Sequence, residues 1–159
     1  MPNTPRDFAL EDQFGRPHPV RFADAALTAV VFSGRATVGD GLAWVRALPG
    51  ALAARGAGAV RVVAVAAVGG VSGVARGIVR AALAGQPAVP IDWGDAVAEG
   101  FGYRAGTVRV VLVDDAGRVR AAADGPPTAA TVAAFAAAAE AGREEPRVGP
   151  RRAPRPGRD

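Results

Sequence analysis

Hydroxyl and charged side chains concentrate between Ser33 and Asp40, in a segment that separates an apolar run from a helical pattern. The N–H groups at the start of a helix attract anions, so the hydroxyls of Ser33 and Thr37 could bind an anion or a substrate there, with Arg35 adding positive charge. Alternatively, these hydroxyls satisfy backbone groups of the loop. Asp40 would oppose an anion and is better explained as the N-cap of the helix.

Few other residues could carry a reaction. The chain has one histidine, His18, and no cysteine, and all 19 of its basic residues are arginine. This composition excludes thiolate nucleophiles, disulfides, cysteine-based metal sites and lysine Schiff bases. A hydroxyl nucleophile needs a positioned base, and we expect His18, which lies between two prolines, at the surface and far from Ser33. We expect neither a metal nor a cofactor.

Two pairs of residues have both a functional and a structural interpretation. Asp92 and Asp95 could be paired carboxylates for acid–base catalysis, but their place before a short helix favours helix caps. Trp44 and Trp93 could be interaction hot spots, or they could be half-buried packing residues. In both cases we expect the structural role.

The first third of the chain predicts a small hairpin followed by a core strand. Phe8–Leu10 is predicted as a short edge strand, residues 12–17 as a turn, and Val20–Phe22 as the second strand. The run Leu27–Phe32 is almost entirely apolar and predicts a central strand. The Ser33–Asp40 segment therefore follows the carboxyl end of that strand.

Two helices and another core strand follow. The spacing of Leu42, Val45, Leu48 and Leu52 predicts a helix with these residues inward and a kink or break near residues 47–48, because Pro49 lies within the pattern. Val60–Val68 predicts the second core strand, parallel to the first. Ser72 predicts the N-cap of a helix to about Leu83, with Val74, Ile78, Ala81 and Ala82 inward and Arg76 and Arg80 outward.

The rest of the core predicts a hairpin and a last helix. An extended segment to Ile91 is followed by a short helix that contains Val97 and Phe101. The hairpin then has strands at Val108–Val113 and Val119–Ala123. Thr128 caps the last helix, which has Val132, Phe135 and Ala139 on one face. The chain is therefore predicted as α/β, with a mixed sheet, helices on both faces and an N-terminal hairpin.

Composition divides the chain into three parts: a flexible N-terminus at 1–6, one domain at 7–141 and a disordered Arg/Pro-rich tail at 142–159. Residues 1–142 carry 13 arginines and 12 acidic residues, whereas residues 143–159 carry six arginines and three acidic residues. The high pI therefore reflects the tail and is poor evidence for nucleic-acid binding by the domain, although the tail could bind an acidic partner. Without a signal-peptide pattern or an apolar run of about 20 residues, we expect a cytoplasmic protein and no membrane span.

Three motifs in the predicted order resemble the thioredoxin-like superfamily in its redoxin or peroxiredoxin-like (AhpC/TSA) form. Phe8–Gly15 is similar to its "F-x-L-x-D-x-x-G" opening, Ile91–Tyr103 to a later "D-x-x-x-V" stretch, and Val111–Val119 to its "D-x-x-G" hairpin. A narrower similarity, at Gly34–Thr37 and Val113–Gly125, is to bacterial YtfJ-type proteins. The resemblance implies a three-layer thioredoxin-like fold.

The chain departs from that family at its redox site. By the resemblance, the Cys-x-x-Cys positions fall at Thr37 and Asp40, and a peroxidatic cysteine would fall near Gly41. The cis-proline that faces this loop corresponds to Val108, which follows Gly106 and Thr107. Cysteines and proline are both replaced, so thiol-dependent peroxidase and disulfide reductase activities are excluded, and Thr107 joins Ser33, Arg35, Thr37 and Asp40 as a candidate ligand residue.

We therefore expect a redox-inactive binding or interaction module, whose partner is a protein or a small anionic ligand. The alternative is a non-thiol enzyme or antioxidant-related protein of the redoxin family that uses Ser33, Arg35 and Thr37 to bind a thiol-, peroxide- or anion-type ligand. A third interpretation is a regulator that docks through its tail.

Overall fold

A computed structural model describes residues 4–144 of the chain. The elements, in chain order, are β1 (Phe8–Glu11), β2 (Pro17–Val20), β3 (Leu27–Ser33), α1 (Val38–Ala54), β4 (Arg61–Ala67), α2 (Gly73–Leu83), β5 (Ile91–Asp92), α3 (Ala96–Gly100), β6 (Arg109–Asp114), β7 (Val119–Asp124) and α4 (Ala129–Glu144). The prediction of an α/β fold is confirmed.

The seven strands form one mixed sheet in the order β2-β1-β5-β4-β3-β6-β7. Strands β3, β4 and β5 are parallel, whereas β6 pairs antiparallel with β3 and β1 pairs antiparallel with β5. The parallel arrangement of β3 and β4 follows from the α1 crossover between them. It brings the carboxyl ends of both strands to one edge of the sheet.

The central strand β3 separates two apolar cores because its side chains alternate between the faces of the sheet. Ala29 and Val31 pack with α1 and with Phe135 of α4, whereas Val30 and Phe32 pack with Ala98 of α3 and its neighbours. Residues 27–32 are all buried, which explains why their sequence is apolar without alternation. Helices therefore cover both faces.

The N-terminal hairpin forms, but the predicted position of its second strand is wrong. Strand β2 ends at Val20, and Phe22 lies in a single 3-10 turn that buries its ring. The prediction that β1 is an edge strand is also wrong, since β1 lies between β2 and β5 and β2 forms the edge. An edge strand tolerates Pro17 and Pro19 because the outer side of an edge needs no N–H donors.

Helix α1 differs from its prediction in four ways, the first of which is that Leu42, predicted to face inward, is 46% exposed. The helix begins at Val38, directly after a 3-10 turn, so Asp40 lies in the first turn and Thr37 takes the N-cap position. It also continues through Pro49, because Leu48 and Leu52 on either side of the proline are both fully buried. Finally, Trp44 is fully buried in this helix, where half-burial was expected.

Helix α2 has the predicted bounds and cap but the opposite orientation. Ser72 Oγ accepts a hydrogen bond from Ala75 N, as expected of an N-cap. Val74 and Ile78, predicted to face inward, are 85% and 68% exposed, and no residue of α2 is buried. The half-buried residues of the helix are instead Ala75, Val79, Arg80 and Leu83. Arg76 and Arg80 also lie near the ring of Trp93, as described below.

The hairpin of β6 and β7 and the last helix agree with their predictions. Thr128 Oγ1 accepts a hydrogen bond from Thr131 N and caps α4, whose Phe135 and Ala139 are buried. The helix ends at Glu144, three residues beyond the boundary expected at 141. The rest of the predicted tail, 145–159, and residues 1–3 lie outside the described residues.

Candidate functional site

A groove of about 500 Å³ lies at the carboxyl ends of β3 and β4. Parallel strands bring the segments that follow them to the same edge of a sheet, so the Gly34–Thr37 turn and the start of α2 meet there. One wall consists of Arg35 and Thr37, the floor includes Ala67 and Tyr103, and the opposite wall consists of the α2 residues Ala75, Ile78 and Val79. The groove is therefore apolar on one side and polar on the other.

The hydroxyl of Thr37 joins the two loops beside this groove. Thr37 Oγ1 accepts a hydrogen bond from Gly34 N at 3.0 Å and donates one to Thr107 O at 3.1 Å. Thr107 uses its own hydroxyl to donate to Arg104 O at 2.8 Å. The structure thus brings Thr37 and Thr107 together, with both hydroxyl protons committed to backbone oxygens.

Of the other three candidate ligand residues, Arg35 alone lines the groove. Arg35 is exposed and lines the groove. Ser33 ends β3 with its side chain against the backbone of Gly41 in the first turn of α1. Asp40 lies in the same first turn, where its charge is favourable to the helix dipole, and it does not line the groove.

Tyr103 and Asp95, which the sequence did not indicate as ligand residues, complete the polar side of the groove. The ring of Tyr103 is buried, and its hydroxyl lies beside Gly34, where a Cβ atom would come within 3.1 Å of it. Burial raises the pKa of Tyr103, and the negative charge of Asp95 raises it further, so the phenol stays protonated. Tyr103 is therefore a neutral hydrogen-bond donor at the groove.

The two aspartates considered as a catalytic pair hold separate backbone groups. Asp95 Oδ1 accepts a hydrogen bond from Gly69 N at 2.8 Å, and Asp92 Oδ2 accepts one from Ala98 N at 2.8 Å. Asp95 also has a left-handed backbone with φ of 55°, which turns the chain into α3. Each carboxylate therefore holds a different backbone segment in place, and the two do not act as a pair.

His18 is far along the sheet from the groove, on the edge strand β2. Its Nε2 lies 2.7 Å from Oδ2 of the fully buried Asp12. Burial raises the pKa of Asp12, but the hydrogen bonds from Arg16 N, His18 and Phe14 N outweigh this effect and hold the pKa below its ordinary value. The contact is thus part of the β1–β2 turn.

A second cavity, of about 340 Å³, lies between β1 and α3. Arg6 and Asp7 are the charged residues that line it. The Asp7 carboxylate accepts a hydrogen bond from Phe22 N, so it is occupied in holding the 3-10 turn. This cavity offers less chemistry than the groove.

The groove combines polar groups on one side with an apolar helix face on the other. Its described lining contains an exposed guanidinium, a neutral phenol, a carboxylate bound to a backbone amide and an apolar helix face, with neither histidine nor cysteine. The one lining hydroxyl that the sequence indicated, that of Thr37, would have to leave Thr107 O to act on a ligand. Tyr103 could have been noticed only through its place in the Ile91–Tyr103 motif, since burial is not visible in a sequence.

Comparison with known proteins identifies the architecture. A scan against protein-family models finds no match, and a search of curated proteins finds no significant relative. Among solved structures, an exposed lipoprotein thioredoxin of Streptococcus pneumoniae superposes with a TM-score of 0.58 at 16% identity, over 83% of this chain and 98% of that one. The chain has the thioredoxin fold.

Two further structures agree with this assignment. A thioredoxin-family thiol:disulfide interchange protein of Chlorobium tepidum gives a TM-score of 0.55 at 14% identity, covering 89% of this chain and 97% of that one. StoA of Bacillus subtilis gives a TM-score of 0.55 at 12% identity, covering 86% of this chain and 98% of that one. The chain described here has this fold but contains no cysteine. The peptide bond before Val108 is trans, like the other described peptide bonds.

Proposed function

We propose that this chain is a redox-inactive binding module that holds a segment of a partner protein in the groove between the Gly34–Thr37 turn and α2. Thiol–disulfide exchange needs a thiolate, and no residue of the chain can supply one. What the fold retains is a concave surface beside a helix. A surface of this kind can bind without reacting.

The observation that carries the proposal is the exposed apolar face of α2. Val74 and Ile78 are one turn apart and are 85% and 68% exposed. An 11-residue helix with no buried residue gains little from packing, and short helices are marginal by themselves. Apolar surface next to a groove is typical of a protein interaction site, and covering it would stabilise α2.

The groove indicates the chemistry of its occupant. Ile78 and Val79 offer an apolar wall for an apolar side chain, and across from them the Tyr103 hydroxyl can donate a hydrogen bond. A peptide in extended conformation presents carbonyl oxygens and alternating side chains together, so it can use both walls. We therefore propose an extended apolar segment as the occupant.

The finer family assignment and the location belong to the same proposal. We assign the chain to the bacterial redoxin-type branch on its three motifs and on the hairpin β1–β2 that precedes the central strand. No helix of the described residues is long and apolar enough to cross a membrane. A cytoplasmic location stays a prediction, since one similar structure is described as an exposed lipoprotein.

The test is a phage-display selection of peptides on the full chain, followed by affinity measurements on the selected peptides. We expect apolar peptides whose affinity falls at least about tenfold in Ile78→Ser and in Ala75→Glu. The control is Val119→Ser, which changes an exposed residue of β7 on another part of the surface. Peptides that bind both groove variants like the unchanged chain would disprove the groove as the binding site.

A thermal-shift screen with glutathione and acidic metabolites tests the enzyme alternative. A rise in melting temperature that Thr37→Ala or Arg35→Ala reverses would place a small ligand at the loop and would replace our proposal. We expect no such rise, because the Thr37 hydroxyl is already bound to Gly34 N and Thr107 O.

A further inference from the structure

The buried carboxylate of Asp12 fixes the shape of the turn between β1 and β2 through hydrogen bonds. Its Oδ1 accepts hydrogen bonds from Phe14 N at 2.8 Å and Arg16 N at 3.0 Å, and its Oδ2 lies 2.7 Å from His18 Nε2. A buried carboxylate with several partners fixes the backbone around it. Phe14 and Arg16 are therefore presented outward from a turn with a defined shape.

Gln13 fixes the same turn to the end of α2. Its Nε2 donates to Leu83 O at 3.0 Å and to Pro87 O at 2.9 Å, and its Oε1 accepts from Val89 N at 2.8 Å. Gln13 is almost completely buried, so these bonds are protected from water. The turn is thus held beside the end of α2.

Arginines and aromatic rings alternate across the surface of this region. The guanidinium of Arg16 lies 5.6 Å from the centre of the Phe14 ring, and those of Arg76 and Arg80 lie 5.2 and 5.5 Å from the centre of the Trp93 ring. Arg80 joins the two groups, because its Nη1 is within 3.6 Å of where a Cβ atom of Gly15 would be. We call Phe14, Arg16, Arg76, Arg80 and Trp93 the arginine–aromatic surface.

The charge of this surface is poorly balanced. Among the described residues, Arg80 lies 3.8 Å from the Glu11 carboxylate, which is itself 60% exposed, whereas Arg16 and Arg76 have no carboxylate within 4.0 Å. Stacking on a ring fixes the plane of a guanidinium and leaves its N–H edge free for a carboxylate. Less side-chain entropy is then lost when an anion binds.

We propose that the arginine–aromatic surface binds a short acidic segment of a partner protein, with carboxylates on Arg16, Arg76 and Arg80 and an apolar side chain on Phe14, which is 49% exposed. Charge favours this occupant over a nucleic acid. Affinity for nucleic acid grows with the number of phosphates contacted, and three guanidiniums beside a glutamate are few. A second copy of this chain that docked symmetrically through the same surface would bring arginines against arginines.

The test is fluorescence anisotropy with the full chain and a labelled peptide of alternating glutamate and leucine, compared with the matched peptide of glutamine and leucine and with single-stranded oligothymidylate. We expect the acidic peptide to bind and the neutral one to bind at least about tenfold more weakly. Affinity should fall about tenfold or more in the double variant Arg76→Gln/Arg80→Gln. It should also fall with added salt.

Two controls keep the result specific. Arg46→Gln removes an exposed arginine of α1 and should leave the affinity unchanged. Ile78→Ser separates this site from the groove of the proposed function: loss of affinity in Ile78→Ser but not in the double variant would place the peptide in the groove and overturn the proposal. Equal binding of the neutral peptide, or full binding by a folded double variant, would overturn the proposal. Tighter binding of oligothymidylate, lost in the same double variant, would assign the surface to nucleic acid. Self-association lost in that variant would assign it to a second copy.

Discussion

The indole nitrogen of Trp44 donates a hydrogen bond of 2.8 Å to the carbonyl oxygen of Gly125. This bond joins the middle of α1 to the end of β7, and the ring packs on Phe135 of α4 with 5.2 Å between the ring centres. The tryptophan therefore connects three elements of one core at a single buried position.

Replacing Trp44 by phenylalanine tests this connection. The change keeps an aromatic ring but leaves the Gly125 carbonyl without its donor, and we expect it to lower the free energy of unfolding by about 1–3 kcal/mol. Urea unfolding followed by circular dichroism measures the loss. Val38→Ala, which truncates an exposed residue of the same helix, should change stability by less than about 0.5 kcal/mol. A loss no larger than that of the control would show that the hydrogen bond contributes little.

Two glycines in the first turn of α1 offer a matched comparison. A Cβ atom on Gly41 would come within 2.7 Å of Ser33 Oγ, whereas one on Gly39 would meet no atom within 4 Å. We expect Gly41→Ala to destabilise the fold by about 1–3 kcal/mol through overpacking. Gly39→Ala should be neutral or stabilise it by up to about 1 kcal/mol, because alanine favours a helix.

Thermal unfolding of the two variants, measured side by side, gives the sign of each effect. A stable Gly41→Ala variant would mean that Ser33 moves away freely, and the close contact between β3 and the start of α1 would then have little energetic weight.

Acid sensitivity is expected from Asp114, a buried carboxylate at the turn between β6 and β7. Burial raises its pKa, but hydrogen bonds from Arg118 N, Arg120 and Ala116 N lower it further than burial raises it, so the pKa lies below the ordinary 3.8. A pKa that is lower in the folded state means that the carboxylate stabilises the fold above pH about 4. This contribution is lost as the pH falls through the lowered pKa.

Asp114→Asn removes that contribution. We expect a loss of about 1–3 kcal/mol at neutral pH and a smaller decrease in stability between pH 5 and 2 than in the unchanged chain. Asp115→Asn, at the exposed neighbouring position, is the control and should retain the full acid sensitivity. Parallel pH profiles for Asp114→Asn and the unchanged chain would contradict the assignment.

The buried side chain of Gln13 is expected to contribute strongly to stability, although it lies in a turn. Gln13→Ala removes the side-chain partner of the Gln86 and Pro87 carbonyls and of the Val89 amide, whereas the Leu83 carbonyl still accepts from Gln86 N. We expect a loss of about 2–3 kcal/mol and faster hydrogen exchange at Val89. Gln86→Ala removes an exposed side-chain amide nearby and should change neither the stability nor the hydrogen exchange at Val89. Unchanged exchange at Val89 in Gln13→Ala would contradict this role.

The sequence predicted the elements well because strands and helices leave local patterns. The buried run at residues 27–32, the Ser72 and Thr128 caps and the turn after Asp114 each depend on a few neighbouring residues, and each lies where it was expected. The order of these elements and the three motifs resemble the thioredoxin-like superfamily, and that resemblance implied the fold that the structure has. Long-range partners were not needed for that conclusion.

Orientation was harder to predict than position. Helical spacing shows that α2 has an apolar side, but not which side of the helix meets the domain. Arg76 and Arg80 lie near Trp93, and Val74 and Ile78 face solvent. Likewise, the burial of Trp44 depends on Gly125, which is 81 positions away in the chain. Arg35 and Thr37 line the groove as candidate ligand residues of the sequence, but Ile78 and Tyr103 were missed for the same reason, since they line one groove only in the folded chain.

The prolines of β2 have a consequence for the solubility of the folded domain. A free strand edge is a template for another strand, and edge-to-edge growth of sheets leads to aggregates and fibrils. Pro17 and Pro19 occupy alternate positions of the outermost strand, so the outward side of this edge has no N–H donor to offer there. The β2 edge therefore resists pairing with a strand of another molecule. The opposite edge, β7, is where a further strand would pair.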